Sequence, residues 1–405
     1  MNLGSALPII GRSPSDETAQ AGRRAIVCSA QHWHAPVHLS AHHLAKFLAR
    51  RGWKACFLST PTSFLHKLRF PHDADVRQRF ADWRQGGGWD ANGGIFHYTP
   101  LAVVPPSRTP GLDLNWLFRN WPRLTWPAVV PFLAGEGFSQ PDLMVVDSAL
   151  MLPLWQALGR PRLVYRVTDR NRDYPNQPAG LRALEDELAA AADLVLYTGK
   201  TLGPYVASLG AKQQLYVGNG VDMAHFEATR AMPLEYARIP APRAVYVGTI
   251  AEWFDVDLVA QAAHALPHVS FVVIGPGASR LTALAARTNV HVLGARPYAE
   301  IPAYLQHAAV GLIPFRREGQ AAFVDNINPL KLYEYMAAGL PVVSTAFQQI
   351  ADLGSPTTIA CDPADFIAAV NARTAVRSDG LSERAFARRF DWTHQFEPLA
   401  AHLAI

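Results

Sequence analysis

Cysteine is scarce in this chain. Cys28, Cys56 and Cys361 are three in 405 residues, odd in number and with no C-x-x-C spacing, which excludes a disulfide framework and a cysteine zinc site. Each reads as a small buried hydrophobe. Long apolar runs are also missing: none reaches the ~18 residues that a membrane-spanning helix needs. Charged residues make up only 17 % of the chain against 49 % hydrophobic, a balance that excludes a disordered polyelectrolyte and fits a folded protein. The first 22 residues are rich in Ser, Ala, Gly and Pro but lack a basic stretch followed by a continuous apolar one, so they read as a flexible cytoplasmic leader rather than a signal peptide. Acidic residues are absent from residues 18–72, which hold eight Lys or Arg. That local bias, more than the net charge of +4, predicts a basic face able to meet phosphate groups or anionic lipid. No repeat of 20–50 residues is visible.

A chain of this length supports two domains, each with a full core. From Ala25 to Ser29, then Lys54 to Ser59, Leu143 to Asp147, Leu163 to Val167 and Leu194 to Tyr197, short β-branched runs alternate with helical stretches, the rhythm of a parallel sheet. A proline-rich stretch, Thr229 to Pro242, reads as a linker. The rhythm restarts with strands at Ala244 to Val247, Val269 to Ile274, Val290 to Leu293, Val310 to Pro314 and Pro341 to Thr345. The expected class is therefore α/β, with two Rossmann-like doubly wound domains facing a cleft. The divisions are a leader over 1–22, a first domain over 23–230, a second over 243–380, and closing helices over 381–405 that pack back on the first domain. The segment from Pro105 to Pro131 breaks the pattern with prolines, Trp116, Trp121, Trp126 and Phe118, interleaved with Arg108, Arg119 and Arg123; neither a regular strand nor a long helix fits it.

The most informative string is Asn-Pro-Leu-Lys-Leu-Tyr-Glu-Tyr-Met-Ala-Ala-Gly-Leu-Pro-Val-Val-Ser-Thr, residues 328–345. Asn328 suits an N-cap and Pro329 the first helical position. Lys331 falls in the first turn, where its charge and the free backbone N–H groups favour a diphosphate. Glu334, three residues on, shares that side and can accept from ribose hydroxyls. Gly339 and Pro341 end the helix. An amphipathic helix with a solvated Lys and Glu would have the same spacing.

The complete string resembles the donor-site signature of the GT-B glycosyltransferases of bacterial polysaccharide assembly. The similarity continues through Val-Gly-Thr-Ile at 247–250, Gly-Pro-Gly at 275–277, Asn-Val-His-Val-Leu-Gly at 289–294 and Leu-Ile-Pro-Phe at 312–315. By that resemblance the second domain binds a UDP-sugar through Gly248, Thr249, Arg296, Phe315, Asn328, Lys331, Leu332 and Glu334, with Phe315 and Arg296 flanking the base. Retaining members often carry Glu eight residues before the position of Glu334; here Asn326 stands there, beside Asp325. The first half, through Val-Tyr-Arg-Val-Thr-Asp at 164–169, resembles the xanthan-pathway glucuronosyltransferase family, inverting enzymes that add glucuronic acid to a lipid-linked oligosaccharide. That resemblance puts the catalytic base at Asp169, just past the carboxyl end of a strand, where a carboxylate can take the proton of an attacking hydroxyl; the competing role is an ion pair with Arg166, Arg170 or Arg172. Gly-Asn-Gly-Val-Asp at 218–222 is expected to shape the cleft.

Asp255-Val-Asp257 imitates a metal motif, but its place after the Gly248 loop favours a helix start, and no metal or other cofactor is expected. Gly275-Pro-Gly277 lacks the third Gly and the acidic residue of a nicotinamide site. His32 and His34 follow the first strand and are candidates for lining the acceptor cleft. The Pro105–Phe132 stretch, with Phe64, Leu65, Lys67, Leu68, Arg69 and Phe70, has the composition of a surface that lies on a bilayer, although its tryptophans could equally fill the core. The expectation is a peripheral protein on the cytoplasmic face of the membrane, transferring a hexose or glucuronic acid to a lipid-linked saccharide. An epimerase of the same fold and a non-catalytic scaffold stay open as alternatives. Nucleic acid is not an expected partner, because the basic stretch lacks a recognition motif.

Overall fold

In the computed structural model, residues 22–35, 37–107, 111–173, 177–285 and 287–405 are described; the expected leader before Gly22, Arg108 and Ala286 lie outside them. Near-continuous apolar runs such as Ile26-Val27-Cys28 suit strands covered on both faces. They build a sheet from β1 (Arg24–Ser29), β2 (Lys54–Ser59), β3 (Gly88–Trp89), β4 (Ile95–Tyr98), β5 (Leu143–Val146), β6 (Arg162–Val167), β7 (Leu194–Tyr197) and β8 (Gln214–Tyr216). The order is β3-β4-β2-β1-β5-β6-β7-β8, parallel throughout except where β3 meets β4. A second sheet contains β9 (Arg243–Val247), β10 (Ser270–Ile274), β11 (Val290–Gly294), β12 (Val310–Ile313), β13 (Val342–Thr345) and β14 (Thr358–Ala360). Its order is β11-β10-β9-β12-β13-β14, all parallel. This is the GT-B arrangement of two Rossmann-like units. The order reverses between β1 and β5 and again between β9 and β12, and ligands of open α/β sheets bind at the carboxyl ends beside such reversals.

Each sheet has its own apolar core. The last helix, Trp392–Leu403, leaves the second sheet: Phe396, Leu399 and Leu403 pack among Leu44, Phe47 and Leu48 of the first. Trp392 stacks on His43 at 5.2 Å, and Arg51 pairs with Glu397 at 2.7 Å. The preceding helix, Leu381–Arg388, does not follow it; Phe386 stays against Tyr333 at 6.3 Å. Of the closing segment 381–405, then, only the final helix crosses over.

The proline-rich segment folds into short pieces, a helix over Asn115–Asn120, a 3-10 turn over Trp121–Leu124 and a helix over Val129–Gly135. Its tryptophans divide between both expected roles. Trp121 is fully buried and donates to the Leu150 carbonyl at 2.7 Å, whereas Trp116 and Trp126 are 60 % and 69 % exposed. Cys28 and Cys56 are buried in strands, but Cys361 is exposed just past β14; β14 is an edge strand, and the turn after it faces water rather than a core.

Candidate active site

At the β9/β12 reversal two glycine loops lie against each other. Gly248 follows β9 with φ +148°, and Gly275 follows β10 with φ +147°. A Cβ on Gly275 would stand 1.9 Å from the Gly248 carbonyl oxygen, and one on Gly277 2.3 Å from that of Ile250. The Gly275-Pro-Gly277 string is thus a packing requirement of the Gly248 loop. A Cβ on Gly248 itself would meet the Lys331 ammonium at 3.0 Å, so the missing side chain leaves room for that cation. Thr249, exposed, receives the Tyr246 hydroxyl on its carbonyl at 2.7 Å.

Lys331 reaches this loop from the helix Leu330–Ala337, which follows β12. Its ammonium lies over the rings of Tyr246 and Phe315, at 4.5 and 4.7 Å, and donates to the Tyr246 hydroxyl at 3.2 Å. Removal from water pushes its pKa down to about 7, against the pull of Glu334. Glu334 is driven up to about 7 by the same desolvation, opposed by Lys331 and by the Tyr298 hydroxyl, which donates to it. The Tyr298 ring stacks on His225 at 4.7 Å and on His38, from the loop after β1, at 6.0 Å. A cation and a carboxylate, each close to neutrality and facing a side-chain-free loop, suit a ligand that brings its own negative charge. Tyr246 and Tyr298 escaped the sequence reading, because a tyrosine near the end of a strand or at the start of a helical turn looks like any core aromatic.

Four expected donor residues are committed elsewhere. Asn328 is not an N-cap: Pro329 takes that position without a side-chain bond. The Asn328 amide donates instead to the Thr198 carbonyl at 2.7 Å and accepts from the Tyr333 hydroxyl at 2.8 Å. The Leu332 side chain is fully buried in the second core, as the helix periodicity demands for a residue one position from Lys331. Phe315 is buried too; its ring supports Lys331 and packs on Phe347 at 5.7 Å, so it does not stand open beside a base. Arg296 donates to Glu235 at 3.0 Å and to the Leu293 carbonyl at 2.5 Å, fastening the linker to the end of β11. Asp255 and Asp257 do form a helix start, Asp255 accepting from the Leu258 amide at 3.0 Å, and both pair with Arg316.

Across from this site lie the carboxyl ends of β5 and β6. Asp169 follows β6, and Thr168 donates to it at 3.0 Å. Arg166, buried, lies within electrostatic reach of both Asp147 and Asp169; desolvation pulls its pKa down to about 10 while the two carboxylates pull it up. Burial lifts Asp147, at the end of β5, to about 6, with Arg166 opposing. Neither Asp147 nor Arg166 had a local sequence signal beyond lying at a strand end. Of the two expected acceptor histidines, His32 is buried and its Nε2 lies 3.2 Å from Asp75, so it pins the β1 loop instead of lining a cleft. His34 is exposed, with Asp82 at 3.8 Å.

Comparison with known proteins assigns both halves. Residues 27–198 match the family described as the N-terminal domain of the glucuronosyltransferase GumK, and residues 241–374 match the glycosyl transferases of group 1. The chain belongs to the GT-B glycosyltransferases. Among relatives of this glycosyltransferase, the UDP-glucuronate:glycolipid 2-beta-glucuronosyltransferase of Xanthomonas campestris pv. campestris is 26% identical over 329 residues, 78% of this chain and 76% of that one. Among solved structures, sucrose-phosphate synthase from Thermosynechococcus elongatus superposes with a TM-score of 0.66 at 16% identity, covering 94% of this chain and 99% of that one. HepE from Anabaena, in complex with UDP and glucose, gives 0.62 at 15% identity with the same coverage.

Two further features of this glycosyltransferase bear on mechanism. Asp325, beside the position where retaining members carry Glu, is held by Arg317 at 2.8 Å and accepts from the Gln348 amide at 3.1 Å; it braces a loop. On the first sheet's side, the short helix Phe64–Arg69 has no buried residue. Phe64 packs on Trp83 at 5.9 Å, and Trp83 donates to the carbonyl of Trp126 at 2.6 Å. Phe64, Leu65, Leu68 and Trp126 therefore form one exposed apolar surface, with Lys67 and Arg69 on the same helix. No helix among the described residues is long and apolar enough to cross a membrane.

Proposed function

We propose that the protein transfers a hexose or glucuronic acid from a UDP-sugar to a lipid-linked saccharide in exopolysaccharide or cell-surface glycan synthesis, with inversion and without a metal. The observation that carries this reading is the Lys331–Glu334 pair poised near neutrality beside the Gly248 loop. Lys331 meets the diphosphate, whose leaving group needs its charge offset as the glycosidic bond breaks, and Glu334 accepts from the ribose hydroxyls. Asp169 takes the proton of the acceptor hydroxyl as it attacks the anomeric carbon, UDP departing from the opposite face. A metal-free reaction is consistent with Lys331 supplying the positive charge. The relative from Xanthomonas, named for UDP-glucuronate, supports the donor class, and the HepE complex supports UDP.

The acceptor's lipid is met at the Phe64–Trp126 surface. Its aromatic and basic composition matches that of proteins lying on the headgroup layer, which supports the reading of a peripheral protein on the cytoplasmic face of the cell membrane. The test is calorimetry with UDP, GDP, UDP-glucose and UDP-glucuronate, followed by turnover in the presence of a lipid-linked saccharide fraction. Uridine-selective binding and an Asp169→Asn variant that binds UDP but has lost transfer are expected. Absence of uridine nucleotide binding overturns the proposal, and binding without turnover in the wild type would favour a non-catalytic scaffold.

A further inference from the structure

Asn328 and Asn219 meet at the crossing between the two sheets. Asn219 accepts from the buried guanidinium of Arg166 at 3.2 Å through its side-chain oxygen, and its amide donates to the Asn328 carbonyl at 2.8 Å. Asn328, buried and immediately before the donor helix, donates to the Thr198 carbonyl at the end of β7 at 2.7 Å. Thr198 in turn donates to the Thr168 carbonyl at 3.3 Å, and Thr168 to Asp169 at 3.0 Å. Arg166 closes the circuit, since it lies within electrostatic reach of Asp169. One ring of polar contacts thus runs from the carboxylate after β6, through β7, to the start of the Lys331 helix, and back through Asn219.

We propose that Asn219 and Asn328 form an interdomain pin, positioning residues that hold Asp169 at a fixed place relative to the donor helix. The amide side chain of Asn219 satisfies both sides at once, its oxygen accepting from the guanidinium while its N–H donates to the carbonyl. If the domains separated there, the buried Asn328 amide would lose the Thr198 carbonyl and the Asn219 amide would lose the Asn328 carbonyl, an unfavourable exchange for groups out of water. Neither asparagine has to touch the sugar for this. Their effect on rate follows from geometry, because misplacing a reacting group by about 1 Å can cost roughly 10²-fold.

The catalytic part of this proposal rests on Asp169 as the base, and the experiment keeps the two apart. Asn219→Asp is close to isosteric: it still accepts from Arg166 but has no N–H for the Asn328 carbonyl. In this variant the turnover of UDP-glucuronate or UDP-glucose, followed as UDP release with a lipid-linked saccharide fraction present, is expected to fall about 10- to 100-fold. The UDP dissociation constant by calorimetry should stay within about twofold, because Lys331, Glu334 and Gly248 are untouched; a purely structural defect would move both. Amide exchange should rise together in peptides covering 164–170 and 326–332, a readout that needs no turnover. Asn328→Asp, which loses the donor to Thr198, should behave alike, and either variant suffices should the other fail to fold. Turnover at the wild-type level, loss of UDP affinity in step with kcat, or exchange rising at one end alone would each overturn the pin. If Asp169→Asn retains activity, the base assignment fails, while the pin is still decided by the exchange and by the split between kcat and UDP affinity.

Discussion

At the scale of single residues, Lys331 carries the strongest predictions. A charge-assisted hydrogen bond contributes about 1.5–3 kcal/mol, so Lys331→Met should weaken UDP-glucose binding by roughly 10- to 100-fold, read by calorimetry. The pH dependence follows from its pKa of about 7. The protonated form binds the diphosphate, so affinity is full below pH 7 and declines above it, approaching tenfold per unit, until the higher pKa of the complex is reached. A UDP-sugar diphosphate does not itself titrate in that range, so a flat profile between pH 7 and 9 in the wild type would refute the assignment, and Lys331→Met should remove the decline, leaving only the titration of Glu334, which burial also drives up. Gly275→Ala tests the loop beneath: its Cβ would collide with the Gly248 carbonyl, and the backbone strain alone costs roughly 1–3 kcal/mol. A lower melting midpoint together with weakened UDP binding is the expected result. Lys331, Glu334 and Gly248 were legible because helix spacing and a glycine after a strand are local signals. The uses of Asn328, Arg296, Phe315 and His32 were not, since their partners Thr198, Glu235, Lys331 and Asp75 are distant in sequence or, for Phe315, decided by packing.

At the scale of elements, the parallel strands were readable because a buried strand must be apolar along its whole length. Four strands were not read: β3, with two residues, β8, whose Gln214 is exposed, the three-residue edge strand β14, and β4, which is buried throughout but whose four residues include His97. The helix Phe64–Arg69 is the opposite case. Its composition is legible, but that all six residues stay out of the core is a tertiary fact. An isolated helix of that length is marginal in water; here Ser63 caps it, accepting from the His66 amide at 3.2 Å, and Phe64 anchors it on Trp83. Replacing Leu68, 79 % exposed, and Leu65 by Glu should leave the melting midpoint nearly unchanged and sharply reduce sedimentation with vesicles containing anionic lipid. Lys67→Glu with Arg69→Glu should reduce it further and abolish its salt dependence, since each cation near such a surface contributes about 1 kcal/mol. Unchanged sedimentation of the apolar variant would show that this face does not meet lipid.

At the scale of the molecule, the chain crosses between its sheets twice, once through the linker that follows Gly218–Asp222 and once back through Phe390–Asp391. The two crossings are bound to each other. Val221 and Asp391 form a bridge, the Val221 amide donates to the Phe390 carbonyl at 2.9 Å, and a Cβ on Gly220 would stand 2.5 Å from that same oxygen. Beyond the second crossing, Trp392–Leu403 covers one face of the first sheet, where Phe396 meets Phe47 at 5.5 Å. Removing residues 392–405 would therefore expose Leu44, Phe47 and Leu48 on the domain opposite the donor site. Burying a side chain of this kind is worth about 1.5–3 kcal/mol, and several are uncovered together, so the first domain should lose its cooperative unfolding transition and aggregate. The second core, built from other residues, should keep its transition and its UDP binding. Calorimetric unfolding of the truncated protein with and without UDP separates these outcomes: a UDP-stabilised transition that survives alone supports the division of labour between the two sheets. Loss of UDP binding along with the first domain would mean instead that the donor site is assembled only when both domains are docked.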